Sequence, residues 1–182
     1  LAEACAQTAA RRRKRRQLGA ASALALAACF LGMLAWQNPV LHSQTLQTAV
    51  GEQRRLDLPD GSTVVLNTDT VVAVEYRLRS RDLRLDRGEA AFTVASGWRS
   101  FVVRSGPAWV RDIGTAFNVH RTDDGSSVTV LHGRIEVARI QPDGAPAPDR
   151  RTLHARQSLR IPDDAAQPVA APVDVDLARA MA

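Results

Sequence analysis

The chain has 182 residues, 24 Lys+Arg against 19 Asp+Glu, and a formal charge of +5. Six of the basic residues and a single acid, Glu3, fall within residues 1–36, so that stretch carries the whole excess; residues 37–182 hold eighteen charges of each sign and are neutral. This length suits one domain with appendages, and a neutral main body excludes, to first order, a basic face for nucleic acid. Both cysteines, Cys5 and Cys29, precede residue 37. The body therefore has neither a disulfide nor a thiolate metal site to hold it, and must be held by burial and backbone pairing.

The chain opens with a basic tail, residues 1–17, in which Arg11, Arg12, Arg13, Lys14, Arg15 and Arg16 are consecutive. Residues 18–36 then read LGAASALALAACFLGMLAW, with no charge and Ser22 as the polar residue. As a helix this run spans about 28 Å, close to the ~30 Å of bilayer hydrocarbon. Short basic flanks stay cytoplasmic, so the expectation is a transmembrane helix over 18–36 with the N-terminus inside and residues 37–182 outside. Trp36 falls where an interfacial aromatic anchor belongs. A cleaved signal peptide would need a small-x-small site at the outer end of the run, and none is present. Leu26-Ala27-Ala28-Cys29 resembles a lipobox, but lipidation at Cys29 would leave FLGMLAW where a polar tether is usual. The basic run also matches a nucleic-acid patch, which the adjoining apolar run explains more simply. Ala28-x-x-x-Gly32 would permit close helix pairing.

Residues 37–47 read as a linker and 48–162 as a domain of short strands. Leu56-x-Leu58, Leu83-x-Leu85, Phe92-x-Val94, Val128-x-Val130 and Ile135-x-Val137 alternate with period two, the signature of half-buried strands. Glycines 88, 97, 106, 114, 125, 133 and 144 punctuate these runs at regular intervals. Pro59-Asp60-Gly61 and Asp124-Gly125 carry turn chemistry, proline presetting φ and glycine accepting positive φ. With no crossover helices, a doubly wound parallel sheet is excluded. An all-β domain remains, either a sandwich or a solenoid-like stack of short strands. Residues 141–149 form a loop, and 153–161 a closing strand pair. Residues 163–182 are a Pro/Ala linker running into the start of a further subdomain, with helix-start character at 174–181. Leu1 in place of Met, and that cut-off start, lead to the expectation of a longer protein.

Chemistry is sparse. Nucleophile-elbow, zincin and P-loop motifs are all lacking, and His42, His120, His132 and His154 have no metal-ligand spacing. The pairs Asp123-Asp124 and Asp163-Asp164 read as solvated turn acids. Trp98 and Trp109 could mark a partner surface, but in a chain with 4% aromatic residues both read as core. No catalytic residue, cofactor or metal ligand is expected, and an enzyme is disfavoured.

Six motifs occur in order: Val50-Gly51-Glu52; Leu58-Pro59-Asp60-Gly61-Ser62 with Leu66-Asn67; Arg87-Gly88-Glu89-Ala90 with Phe92; Phe101-Val102-Val103; Gly114-Thr115-Ala116-Phe117-Asn118-Val119; and Val128-x-Val130-Leu131-x-Gly133. Together with the preceding apolar run they resemble the FecR family of inner-membrane regulators of cell-surface signalling. The resemblance implies a periplasmic all-β domain on one membrane anchor, with the motif residues as scaffold. It implies two partners. One is an extracytoplasmic-function sigma factor, held by a cytoplasmic segment of which 1–17 is a remnant. The other is the signalling domain of a TonB-dependent outer-membrane receptor, as in control of iron-siderophore uptake. Asp112-Ile113 stand where the family often has Ala-Leu, and His132-Gly133 where Glu-Gly is usual. The alternative reading is a membrane-anchored or lipidated envelope module with the same β domain and no sigma partner.

Overall fold

A computed structural model of the chain describes residues 25–30, 32–33 and 35–175. It divides into two units, Leu1–Pro39 and Val40–Ala182. In the first, the described residues between 25 and 37 are helical, and Leu26, Phe30, Met33 and Trp36 are all exposed. The expected span over 18–36 lies partly outside the described residues, and the basic run Arg11 to Arg16 lies wholly outside them. Among the described residues no helix is long and apolar enough to cross a membrane.

The second unit is all-β, as the alternation predicts. Thirteen strands follow in chain order: β1 Val40–Gln47, β2 Arg54–Asp57, β3 Thr63–Leu66, β4 Val71–Arg77, β5 Ser80–Thr93, β6 Ser100–Ser105, β7 Ala108–Asp112, β8 Ala116–Thr122, β9 Gly125–His132, β10 Arg134–Arg139, β11 Arg151–His154, β12 Gln157–Pro162 and β13 Val173–Asp174. They form one curled open sheet with β5 as its spine. One half runs β1-β4-β5-β6-β7-β10-β11 and the other β2-β3-β5-β8-β9-β12-β13. A stack of solenoid coils would need parallel neighbours, yet β5/β6 is the one parallel pair among the twelve described.

The curl has a local cause in β5. Leu83 and Leu85 point into the core, and so do Ala90 and Phe92, so the inward parity switches from odd to even along one strand. A slip of one residue turns every later side chain to the other face. The extra residue is Asp86: Val72 pairs with Leu85 but Val71 with Arg87, a β-bulge. Just beyond it Gly88 takes φ +81°, and β5 passes from β4 and β6 to β3 and β8. Bulge and glycine together bend the spine, so the two halves close on one core. Phe92, Phe101 and Phe117 sit at its centre, with ring centroids 5.3–6.5 Å apart. Val119 lies beside them, fully buried.

Three expectations along the chain are corrected. Residues 40–47, taken as linker, form β1, an edge strand on β4 whose VLHSQTLQ sequence is mostly exposed and so lacks the apolar alternation of an inner strand. Segment 153–161 does contain two strands, but β11 pairs with β10 and β12 with β9. The turn at Arg156, φ +71°, sends the chain from one half to the other. Val173–Asp174 pair with β12 as β13 instead of starting a helix; residues 176–182 lie outside the described residues.

Candidate functional site

Arg81 is the least expected residue of the body. Its neighbours read RSRDLRLDR, a surface-like alternation, yet only 5% of Arg81 is exposed. Period two explains this, since Arg81 lies two and four residues before Leu83 and Leu85 and shares their inward face. Its guanidinium lies over the Phe101 ring, 5.2 Å from the centroid. Nη1 donates to Asp60 Oδ2 at 2.5 Å and to the Ala95 carbonyl at 3.2 Å, and Nη2 donates to the Arg99 carbonyl at 2.8 Å. A buried cation is tolerable only when paired and hydrogen-bonded in this way.

The motif residues 58–62 shape the acceptor. Gly61 N donates to the Leu58 carbonyl at 2.9 Å and Leu58 N to the Ser62 carbonyl at 2.7 Å, closing a turn around Pro59 with Gly61 at φ +81°. Ser62 Oγ donates to Asp60 Oδ2 at 2.7 Å and accepts from Ala95 N at 3.0 Å. Burial pushes the Asp60 carboxyl up, but the bonds from Ser62 and Arg81 outweigh burial and hold it below its ordinary value. Tyr76, also buried, is pushed up to about 12, by burial first and then by the Asp60 charge.

What this cluster holds is the crossover 94–99, which returns the chain from the end of β5 to the start of β6. Its other side is tied to the crossover between β7 and β8, because Val94 N donates to the Thr115 carbonyl at 3.0 Å. There Asp112 accepts from Gly114 N at 2.8 Å and from the Thr115 hydroxyl, so both its oxygens are used within the turn. Gly133 lies against this turn: a Cβ there would come within 2.8 Å of the Gly114 carbonyl oxygen.

Between the two crossovers lies an open groove of about 400 Å³, lined among others by Arg81, Trp98, Arg99, Arg111 and Ile113. Trp98 is 74% exposed and Ile113 39%. Arg99 lies over the Trp98 ring, 4.9 Å from its centroid. The expectation that both tryptophans are core therefore holds for Trp109, 6% exposed, and fails for Trp98. Trp98 sits in Ser96-Gly97-Trp98-Arg99-Ser100, between two strand runs, and that turn-like setting was the signal for an exposed position.

The other motif residues meet elsewhere. Asn67 and Asn118 each donate through Nδ2 to one carboxylate oxygen of Glu89, at 2.7 and 2.6 Å. Gly88 packs where a Cβ would meet Thr70 Oγ1 at 2.3 Å, and Thr70 Oγ1 accepts from Glu89 N at 3.0 Å. This polar clasp joins β3, β5 and β8. Trp36 is 84% exposed at the end of the helical residues. Among the described residues no group of His, Cys, Asp and Glu could hold a metal ion.

Comparison with known proteins gives one family and one fold. The model of the family described as FecR protein matches residues 44–136, from within β1 into β10. Two crystal structures of a candidate anti-sigma factor from Parabacteroides distasonis are similar in fold, each with TM-score 0.64 and 24% identity. They cover 77% and 76% of this chain, which spans 63% of the length of each. A comparison with curated proteins finds no match.

Proposed function

The chain belongs to the FecR family, and from that premise we propose that it is the envelope-facing part of a single-pass inner-membrane regulator. In this reading it relays a periplasmic signal from a TonB-dependent outer-membrane receptor to an extracytoplasmic-function sigma factor, in the manner of iron-siderophore uptake control. It acts as an anti-sigma relay and not as a catalyst.

The observation that carries the reading is the family match over residues 44–136, which falls on one folded β body. Two features support membrane attachment. Leu26, Phe30 and Met33, spaced four and three apart on one helical face, are more than 60% exposed, as on a surface made for lipid. The run Arg11 to Arg16 precedes the apolar segment, which by charge bias leaves the N-terminus inside the cell. Residues 48–162 then lie in the periplasm, and the buried Asp60–Arg81 anchor makes the body a rigid carrier for the Trp98 crossover.

The test is a cross-linking pull-down of the full-length, C-terminally tagged protein from membranes of cells grown with and without iron limitation. Recovery of a sigma factor together with a TonB-dependent receptor is the expected result. Recovery of neither, with intact protein abundant in the membrane, would assign the chain to the envelope-module reading and overturn this one.

A further inference from the structure

The groove between the two crossovers has an unbalanced chemistry. Of the three arginines that line it, Arg81 is answered by Asp60, while Arg99 and Arg111 face a single lining carboxylate, Asp112, which is consumed by its own turn. Arg111 meets Glu136 at a loose 3.7 Å, and Glu136 is shared with Arg150 at 3.9 Å, so one acid answers two cations. Beside these cations stands Trp98, three-quarters exposed, with Ile113 across the groove. Exposed Trp flanked by Arg is the composition of a binding hot spot, apolar at the centre and able to fork onto a carboxylate.

We propose that this groove is a docking site for a segment of a partner protein that carries an Asp or Glu side chain next to a large apolar one. The apolar side chain packs between Trp98 and Ile113, and the carboxylate takes the donors of Arg99 and Arg111. A protein segment fits better than a small molecule, because small-molecule pockets enclose most of their ligand, whereas Trp98 stands on an open rim. The crossover's attachment through Arg81, Asp60 and Ser62 serves this role: it pre-organises Trp98 and so lowers the ordering cost of binding. Asp112-Ile113, where this chain departs from the usual family sequence, supply one wall, so the wall would set which partner is accepted. The surface draws its purpose from the regulatory reading, but its chemistry stands on these residues alone.

A random peptide library panned against the whole protein tests this, with Trp98→Ala and Arg99→Gln/Arg111→Gln proteins as counter-targets. All three positions are solvent-facing or partly so, and circular dichroism checks that the variants fold. The expected result is enrichment of peptides with Asp or Glu beside an aromatic or aliphatic residue. Individual peptides should lose about tenfold or more in affinity to either variant, and as much when the acid is changed to its amide. Indole N–H resonances locate the contact, with Trp98 shifting while Trp36 and Trp109 stay. Enrichment without acidic bias, binding indifferent to Trp98→Ala, or no enrichment at all would each overturn the proposal. Because no sigma factor or receptor is needed in this assay, failure of the pull-down and failure of the groove remain separately visible.

Discussion

Arg81 Nη1 donates to Asp60 Oδ2 at 2.5 Å across 21 residues of sequence, joining the start of the bent spine to the turn that follows β2. Both side chains are largely buried, at 6% and 16% exposure. Breaking such a pair leaves an uncompensated interior charge, so Asp60→Ala, which strands the more buried Arg81, should destabilise the body by about 3 kcal/mol, whereas Arg81→Met, which leaves the more exposed Asp60 with its bonds from Ser62, should cost less. Urea denaturation followed by circular dichroism measures both. An equal, small effect of the two changes would show that the pair is not buried as described.

The same bond gives a direction with pH. The native Asp60 pKa is depressed, so its contribution is fully present above the unfolded carboxylate value of about 3.9 and is lost as pH falls through the lower native value. In Asp60→Asn that part of the acid sensitivity should vanish. Comparing midpoints of acid unfolding for the two proteins decides it.

Tyr76 is the only tyrosine in the chain, which makes its titration directly readable by ultraviolet absorbance. The native phenol should ionise near 12, against its usual 10. A raised pKa means stability is complete below the unfolded value and declines as pH rises toward the native one. Ionisation near 10 in the folded protein would contradict the burial of Tyr76 beside Asp60.

Two glycines with the same φ of +81° separate backbone strain from packing. At Gly61 an added Cβ meets only Ala95 Cβ at 3.6 Å; at Gly88 it meets Thr70 Oγ1 at 2.3 Å and the Asp69 carbonyl at 2.7 Å. Gly61→Ala should therefore cost about 1 kcal/mol from φ alone, and Gly88→Ala about 3 kcal/mol because the clasp must also move. Thermal or chemical denaturation ranks them, and equal costs would refute the close approach.

Residues 163–172 contain no strand but are strapped to the body. Arg139 donates to the Pro162 and Gln167 carbonyls at 2.8 and 3.2 Å, Arg151 to the Ala170 carbonyl at 2.5 Å, and Val169 packs on the core. Replacing Arg139 and Arg151 with Ala should raise the rate of proteolytic nicking in this segment about tenfold, while the body's unfolding midpoint changes little. Limited proteolysis with mass spectrometry reads the effect.

The strands were legible because period two is a local property: Val128 and Val130 alternate with less buried neighbours in both sequence and structure. The turns at Gly61 and Gly125 were legible for the same reason, since their chemistry lies within four residues. The sheet order was not, because it depends on an extra residue, Asp86, whose effect is visible only opposite Val71 and Val72. Arg81 shares the parity of Leu83 and Leu85, but its charge and its charged neighbours hide an inward position whose partner, Asp60, is distant in sequence. Trp98 was misread for another reason, the scarcity of aromatic residues outweighing its turn-like setting. Its exposure is fixed by a crossover anchored through Arg81 to Asp60, and nothing within the run SGWRS reports an anchor so distant in sequence. The motif residues Asn67, Glu89 and Asn118 were recognisable as a set, but their convergence on one carboxylate required the pairings of β3, β5 and β8.

The regulatory account is tested most directly by transcription. RNA from cells lacking the gene, compared with RNA from the same cells complemented with it, should show a coherent change at one set of promoters that require a single extracytoplasmic-function sigma factor. Deleting that sigma factor's gene should abolish the difference. A transcriptome unchanged by loss of the protein, under both iron-replete and iron-limited growth, would contradict the account.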